Sequence, residues 1–144
     1  MQQLQSGRHF LQIPGPTNVP ERILRSIERP TIDHRGPEFK GLCFEVLEGI
    51  KEIFQTRQPV IIFPASGTGA WEAALVNTHS PGDRVLMYDT GHFASTWHKL
   101  AVKLGIDAQL LPGSWREGVN PDEIEQALAD DKDRSIKSVC IVHN

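Results

Sequence analysis

The chain has 144 residues, 39% hydrophobic and 23% charged, with a net charge of -3, which is the length and composition of one globular domain with a respectable core. Fifteen Lys and Arg are outnumbered by eighteen Asp and Glu and form no run, so a nucleic-acid partner is not expected. No apolar stretch approaches the roughly 20 residues of a membrane span and the polar N-terminus lacks a signal-peptide core, which points to a cytosolic or organellar protein with no membrane partner.

Residues 1 to 12 read as a loose arm. Ile13-Pro14-Gly15-Pro16-Thr17-Asn18 follows as a stiff loop in which two prolines fix φ and a glycine supplies the bend. From local chemistry it is a connector or a rigid loop facing a ligand, and the connector is favoured. Asn18 is placed to cap a short helix with Ile23, Leu24 and Ile27 on one face. Pro30 stops it, and Thr31 to Pro37 forms a polar loop carrying His34 and Arg35 side by side. Such a pair usually faces solvent; the alternative is an anion contact, because the arginine fork matches a carboxylate. A longer helix is predicted from Glu38 to about Gln55, with Leu42, Val46, Ile50 and Ile53 at helical spacing as a core-facing stripe.

From residue 59 the rhythm changes to alternating strand and helix. Pro59 to Thr78 predicts a strand at Val60 to Phe63, a turn at Ser66-Gly67-Thr68-Gly69, and a helix over 68–78. Glycines there let the backbone approach a ligand, and two hydroxyls stand beside the unpaired N–H groups and positive dipole of a helix start. That is a site for a phosphate, though a plain connecting turn has about even odds on this pattern alone. No lysine follows Gly69 and no third glycine completes a dinucleotide fingerprint, so a single monophosphate fits best.

Further strands are predicted at Arg84 to Tyr88, Asp107 to Leu111 and Lys137 to Val142, with helices at Phe93 to Leu104 and Pro121 to Ala129. The last has Asn120 as cap, Pro121 at its first position and Glu123 placed to close a capping box. Short links between alternating elements imply an α/β fold with a mostly parallel sheet, covered on both faces. Ligands bind outside the carboxyl ends of such strands. Phe93, just after one of them, reads as a ring that lies over a flat ligand or as an ordinary helix-start hydrophobe; Asp89 and His92 read as ligand contacts or loop hydrogen bonds. Cys43 and Cys140 lack CxxC spacing and the six histidines lack HxxxH or HExxH spacing, so reduced thiols and no metal are expected. An apolar strand directly before Asn144 predicts that the chain is a piece of a longer protein.

With these residues laid out, the chain resembles the class V pyridoxal-phosphate aminotransferases, most closely the serine–glyoxylate and alanine–glyoxylate group. The matching stretches are IPGPTNVP, DHRGPEF, IFQTRQPVIIFPASGTGAWEAALVNTHSPGDRV, TGHF and SVCIVHN. The resemblance implies a fold-type I pyridoxal-phosphate transferase: a homodimer with a large α/β domain around a mainly parallel sheet, of which this chain is the incomplete N-terminal part, βαβαβαβ. Residues 1–36 would be an arm and loop lining the active site and 37–144 the first part of the large domain. It implies pyridoxal 5'-phosphate as cofactor, amino-acid and keto-acid substrates, and transfer of an amino group from serine or alanine to glyoxylate, giving glycine and a keto acid, in the cytoplasm or, in a eukaryote, the peroxisome. Carried over by position, Ser66, Gly67 and Thr68 hold the cofactor phosphate and Phe93 stacks on the pyridine. Gly15, His34 and Arg35 fall where the family lines its substrate site. The family's cofactor-linking lysine, its pyridine-pairing aspartate and its carboxylate-binding arginine all fall beyond Asn144, so no catalytic residue is assigned and these 144 residues are expected to be inactive alone. Another class V type, phosphoserine aminotransferase or cysteine desulfurase, and an inactive α/β fragment are the competing readings.

Overall fold

The computed structural model describes residues 10–13 and 15–143, in two compact units, Met1–Ile61 and Ile62–Asn144. Among the described residues the first contains two helices. Helix α1 (Glu21–Ile27) starts after Pro20 without a side-chain cap; the Asn18 Oδ1 predicted to cap it accepts instead from the Leu11 N–H at 2.8 Å. Helix α2 (Pro37–Ile53) opens with proline at a position whose N–H has no intrahelical use. Its apolar stripe does not form a core. No α2 residue is buried, and Leu42, Val46 and Ile53 are 41%, 47% and 79% exposed. Periodicity specifies which face is apolar; burial needs a second layer against it.

The second unit is built on a three-stranded parallel sheet. Helix α3 (Gly67–Thr78) leads into β1 (Arg84–Tyr88), then α4 (His92–Lys103), β2 (Asp107–Leu111), α5 (Pro121–Asp130) and β3 (Ile136–Cys140). The order β2-β1-β3 puts the first strand at the centre, so the chain crosses back over β1 to lay β3 on its far side. Val85 pairs with Ala108 and Ser138, and Met87 with Leu110 and Cys140.

Alternation along β1 divides its side chains between two faces. Val85 and Met87 join Leu75 of α3, Ala101 of α4 and Ile106 in the buried core, with Trp97, Leu104, Leu110 and Cys140 packed around them. Leu86 and Tyr88 point the other way and are equally buried. The Tyr88 hydroxyl donates to Glu123 Oε2 of α5 at 2.7 Å; that carboxylate beside it pushes the phenol above its ordinary range. Asn120 caps helix α5 as predicted, its Oδ1 accepting from the Asp122 N–H, but Glu123 does not close the expected capping box: its Oε1 accepts from the Asn120 side-chain Nδ2 rather than from the backbone N–H.

The strand predicted at 60–63 does not form: none of these residues pairs in the sheet, and Ile61, Ile62 and Phe63 are 71%, 56% and 64% exposed. A strand is completed by a neighbour's ladder of hydrogen bonds, and no neighbour stands beside this segment among the described residues. The expected βαβαβαβ run therefore begins at α3. Cys43 and Cys140 are free thiols of intermediate burial, and burial pushes the Cys140 thiol above its usual range.

Candidate functional site

The predicted phosphate cradle is the start of α3. Ser66 takes the N-cap position in extended conformation, φ -89° and ψ -179°, and its hydroxyl makes no capping bond to its own helix. A serine at this position ordinarily satisfies a first-turn N–H itself. Here the Gly67 and Thr68 amides, which have no intrahelical acceptor, and both hydroxyls remain available to an incoming anion. No atom lies within 4 Å of where a Cβ on Gly67 would stand, so the backbone is open to approach there. Gly69 is required for a different reason. A Cβ at this position would come 2.7 Å from the Ala65 Cβ, so glycine lets the loop fold tightly onto the helix.

One turn after Thr68 stands Trp71, a residue that sequence reasoning left unassigned. Its indole stacks on Trp97 of α4, with centroids 5.6 Å apart and planes at 20°. It also meets Phe93 at 5.9 Å and 68°, an edge-to-face arrangement. The aromatic bridge thereby sets the first turn of α4 beside α3. Phe93 keeps 52% of its surface exposed, and His92 flanks it with ring centroids 5.5 Å apart. The phosphate candidates and the stacking candidate thus sit on neighbouring helix starts at the carboxyl side of the sheet. The only sequence signal for Trp71 was its i,i+3 spacing from Thr68.

Phe93 is delivered by the turn after β1. Gly91 adopts φ 150° and ψ -168°, a conformation essentially reserved for glycine. Thr90 is 5% exposed, and its hydroxyl donates to the Val142 carbonyl at 3.2 Å, tying the ends of β1 and β3 together. Asp89 makes loop hydrogen bonds. Its Oδ1 accepts from the Gly91 N–H at 3.3 Å, the Ser95 hydroxyl at 3.0 Å and the Trp115 Nε1–H at 3.1 Å. Beside this turn, a cavity of about 480 Å³ opens between Thr90, the loop from Trp115 to Val119, and the exit of β3 at Ile141 to His143.

Gly15, His34 and Arg35 belong to the first unit. Gly15 lies in a bend with no atom within 4 Å of a Cβ position. His34 and Arg35 form a turn before α2, organised by Asp33: its Oδ1 accepts from the Arg35 N–H at 3.0 Å, and His34 Nδ1 lies 4.0 Å from the same oxygen. Among the described residues no group of three or more His, Cys, Asp or Glu gathers in a metal-binding cluster, and no helix is long and apolar enough to cross a membrane.

The second unit thus pairs an uncapped, glycine-opened helix start with an exposed aromatic ring at the start of the next helix. Residues 9–144 match the family Aminotransferase class-V, and the chain belongs to that family. It is 42% identical over 139 residues to serine–glyoxylate aminotransferase of Methylorubrum extorquens, covering 96% of this chain and 35% of that one. To L-aspartate–glyoxylate aminotransferase of Paracoccus denitrificans it is 43% identical over 133 residues, covering 92% and 34%. The crystal structure of alanine–glyoxylate aminotransferase from Nostoc sp. superposes with a TM-score of 0.78 at 27% identity, over 99% of this chain and 37% of that one. The chain therefore spans about a third of the length of the relatives it matches.

Proposed function

We propose that this chain carries the phosphate cradle and ring platform of a pyridoxal-phosphate-dependent transaminase that moves an amino group from a small α-amino acid, serine or alanine, to glyoxylate. The observation that carries the reading is the pairing of two neighbouring helix starts: Ser66-Gly67-Thr68, uncapped and open, and Phe93, exposed and held against α3 through Trp71. The donor set suits a phosphate monoester dianion, which is satisfied by backbone N–H groups, hydroxyls and the helix dipole without a cationic side chain. The names of the matched relatives, serine–, aspartate– and alanine–glyoxylate aminotransferases, support glyoxylate as the acceptor.

When bound, pyridoxal phosphate supplies the electron sink for loss of the α-proton and exchange of the amino group. The residues here do the rest of the positioning. Ser66 and Thr68 hydroxyls and the Gly67 and Thr68 amides bind the phosphate and fix one end of the cofactor. Phe93 orients the ring plane by stacking and covers one side of it from water. Gly15, His34 and Arg35 of the first unit are proposed, on the family resemblance, as substrate-binding residues, the guanidinium fork matching a carboxylate. None of Lys40, Lys51, Lys99, Lys103, Lys132 and Lys137 is assigned the proton-transfer role, so these residues anchor rather than react.

Titrating the chain with pyridoxal phosphate while following Trp fluorescence tests this, since Trp71 and Trp97 stand beside the cradle. Saturable quenching with competition by inorganic phosphate is expected. Replacing Ser66 and Thr68 together by alanine should weaken binding, each lost hydrogen bond to the charged group costing about 1.5–3 kcal/mol. Unchanged affinity in the double variant would remove the phosphate assignment. The 144 residues alone, given cofactor, amino donor and glyoxylate, are expected to bind without producing glycine.

A further inference from the structure

Phe93 is only as well placed as the turn that presents it, and that turn is gathered on a single oxygen. Asp89 Oδ1 receives three donors from three places: the Gly91 N–H within the turn, the Ser95 hydroxyl in the first turn of α4, and the Trp115 indole N–H from the loop after β2. The Asp89 backbone is equally held. Its N–H bonds the Leu111 carbonyl at 3.0 Å, extending the pairing with β2 by one residue. The β2 loop is pressed onto the same point, because a Cβ on Gly113 would clash with the Asp89 carbonyl oxygen and the Tyr88 ring. A three-donor acceptor is more than a turn requires; one Asx bond to Gly91 would suffice to shape it.

We infer that Asp89 is a positioning residue for the Phe93 platform, and that Trp115 makes the loop after β2 part of the same clamp. Gly91 and Ser95 flank Phe93 on both sides in sequence, so bonding both to one oxygen restricts the rotation of the α4 start about the end of β1. With Gly91 in a glycine-only conformation, the turn has many alternatives and needs such a restraint. Trp115 is 62% exposed, and burial therefore does not hold it in place; the indole N–H bond ties the loop to the turn. The role assigned to Asp89 rests on the cofactor reading above only in what the platform carries, not in the clamp itself.

Two measurements separate these layers. The first is affinity of the chain for pyridoxal phosphate against affinity for inorganic phosphate, which needs only the cradle. Asp89→Ala is expected to weaken pyridoxal phosphate binding about 5- to 10-fold while inorganic phosphate binding changes less than about 2-fold, because a misplaced ring loses its stacking on the cofactor while the cradle is untouched. Asp89→Asn keeps an acceptor oxygen and should stay within about 2-fold of wild type, while Trp115→Phe, which deletes one of three donors at an exposed site, should fall between the two. The second is hydrogen exchange at the Ser95 amide, which bonds the Gly91 carbonyl at 3.1 Å; about 10-fold faster exchange is expected in the alanine variant and none in the asparagine variant. Equal loss of both ligands in Asp89→Ala, or unchanged exchange at Ser95, overturns the inference. A wild-type chain that binds neither ligand, with exchange still accelerated in Asp89→Ala, overturns the cofactor reading and leaves the clamp standing.

Discussion

Residues 10–61 and 62–143 both carry apolar helices, yet every buried side chain among the described residues lies in the second set. Helix α2 has the regular stripe of a core-facing helix and buries none of it. Helix α3 is apolar around most of its circumference, and its Leu75 is 1% exposed because β1 and α4 meet it there. The difference lies in what stands opposite rather than in the helices. A sheet supplies a flat apolar face that a helix covers, whereas α2 has no such layer against it among the described residues. The candidate site follows the same divide: the Ser66 to Gly69 turn and Phe93 sit where a packed core fixes two helix starts.

The largest test of that contrast compares two leucines. Leu75→Ala should destabilise the Ile62–Asn144 unit by about 2–5 kcal/mol in urea unfolding, since it empties a packed site. Leu42→Ala, at a position 41% exposed, should stay within about 1 kcal/mol, close to other surface changes. Similar losses at both positions would erase the distinction between the units. A smaller effect is expected at the caps. Asn120→Ala removes the bond to the Asp122 N–H and should cost about 0.5–2 kcal/mol, read from the same unfolding curves. Helix α1, which begins without a side-chain cap, offers no equivalent change.

The smallest and most local effect is on acid stability. Asp131 accepts from the Ile136 N–H and the Ser135 hydroxyl, and these bonds hold its carboxyl below the usual carboxylate value. Lys137 and the Ser80 N–H lower Asp83 in the same way. A carboxyl whose folded pKa is depressed stabilises the fold above its unfolded value of about 4, and that contribution disappears as pH falls through the folded value. Both groups lie beside the amino ends of β1 and β3, so unfolding midpoints of the second unit should drop below about pH 4. Asp131→Asn should flatten that drop; an unchanged acid profile in the variant would mean that its bonds to β3 do not contribute.

Much of the candidate site was legible because its chemistry is local. Ser66, Gly67, Thr68 and Gly69 announce a helix start with open backbone within four consecutive residues, and Asn120-Pro121 announces another. Strands β1 and β2 were bounded correctly by their short apolar runs between turn residues. Less visible were contacts made across distance. Trp71 reads as one more apolar residue until α4 brings Phe93 and Trp97 to it, and Asp89, open between a ligand contact and a loop hydrogen bond, gives no sign in sequence that Ser95 and Trp115 meet it. The segment 60–63 shows the opposite failure, a strand-like composition without a neighbour to pair with.

The sequence by itself determined the alternation of strands and helices from Arg84 onward, the starts of α3, α4 and α5 to within a residue, and the candidate residues for a phosphate and a flat ring, because propensity, capping and turn chemistry act over a few neighbouring residues. Only the tertiary structure decided that β1 is the central strand, that α3 is buried where α2 is not, and that one oxygen of Asp89 gathers the turn behind Phe93. Those outcomes depend on which surfaces meet, and residues 26 apart in the chain, such as Asp89 and Trp115, carry no local mark of their meeting.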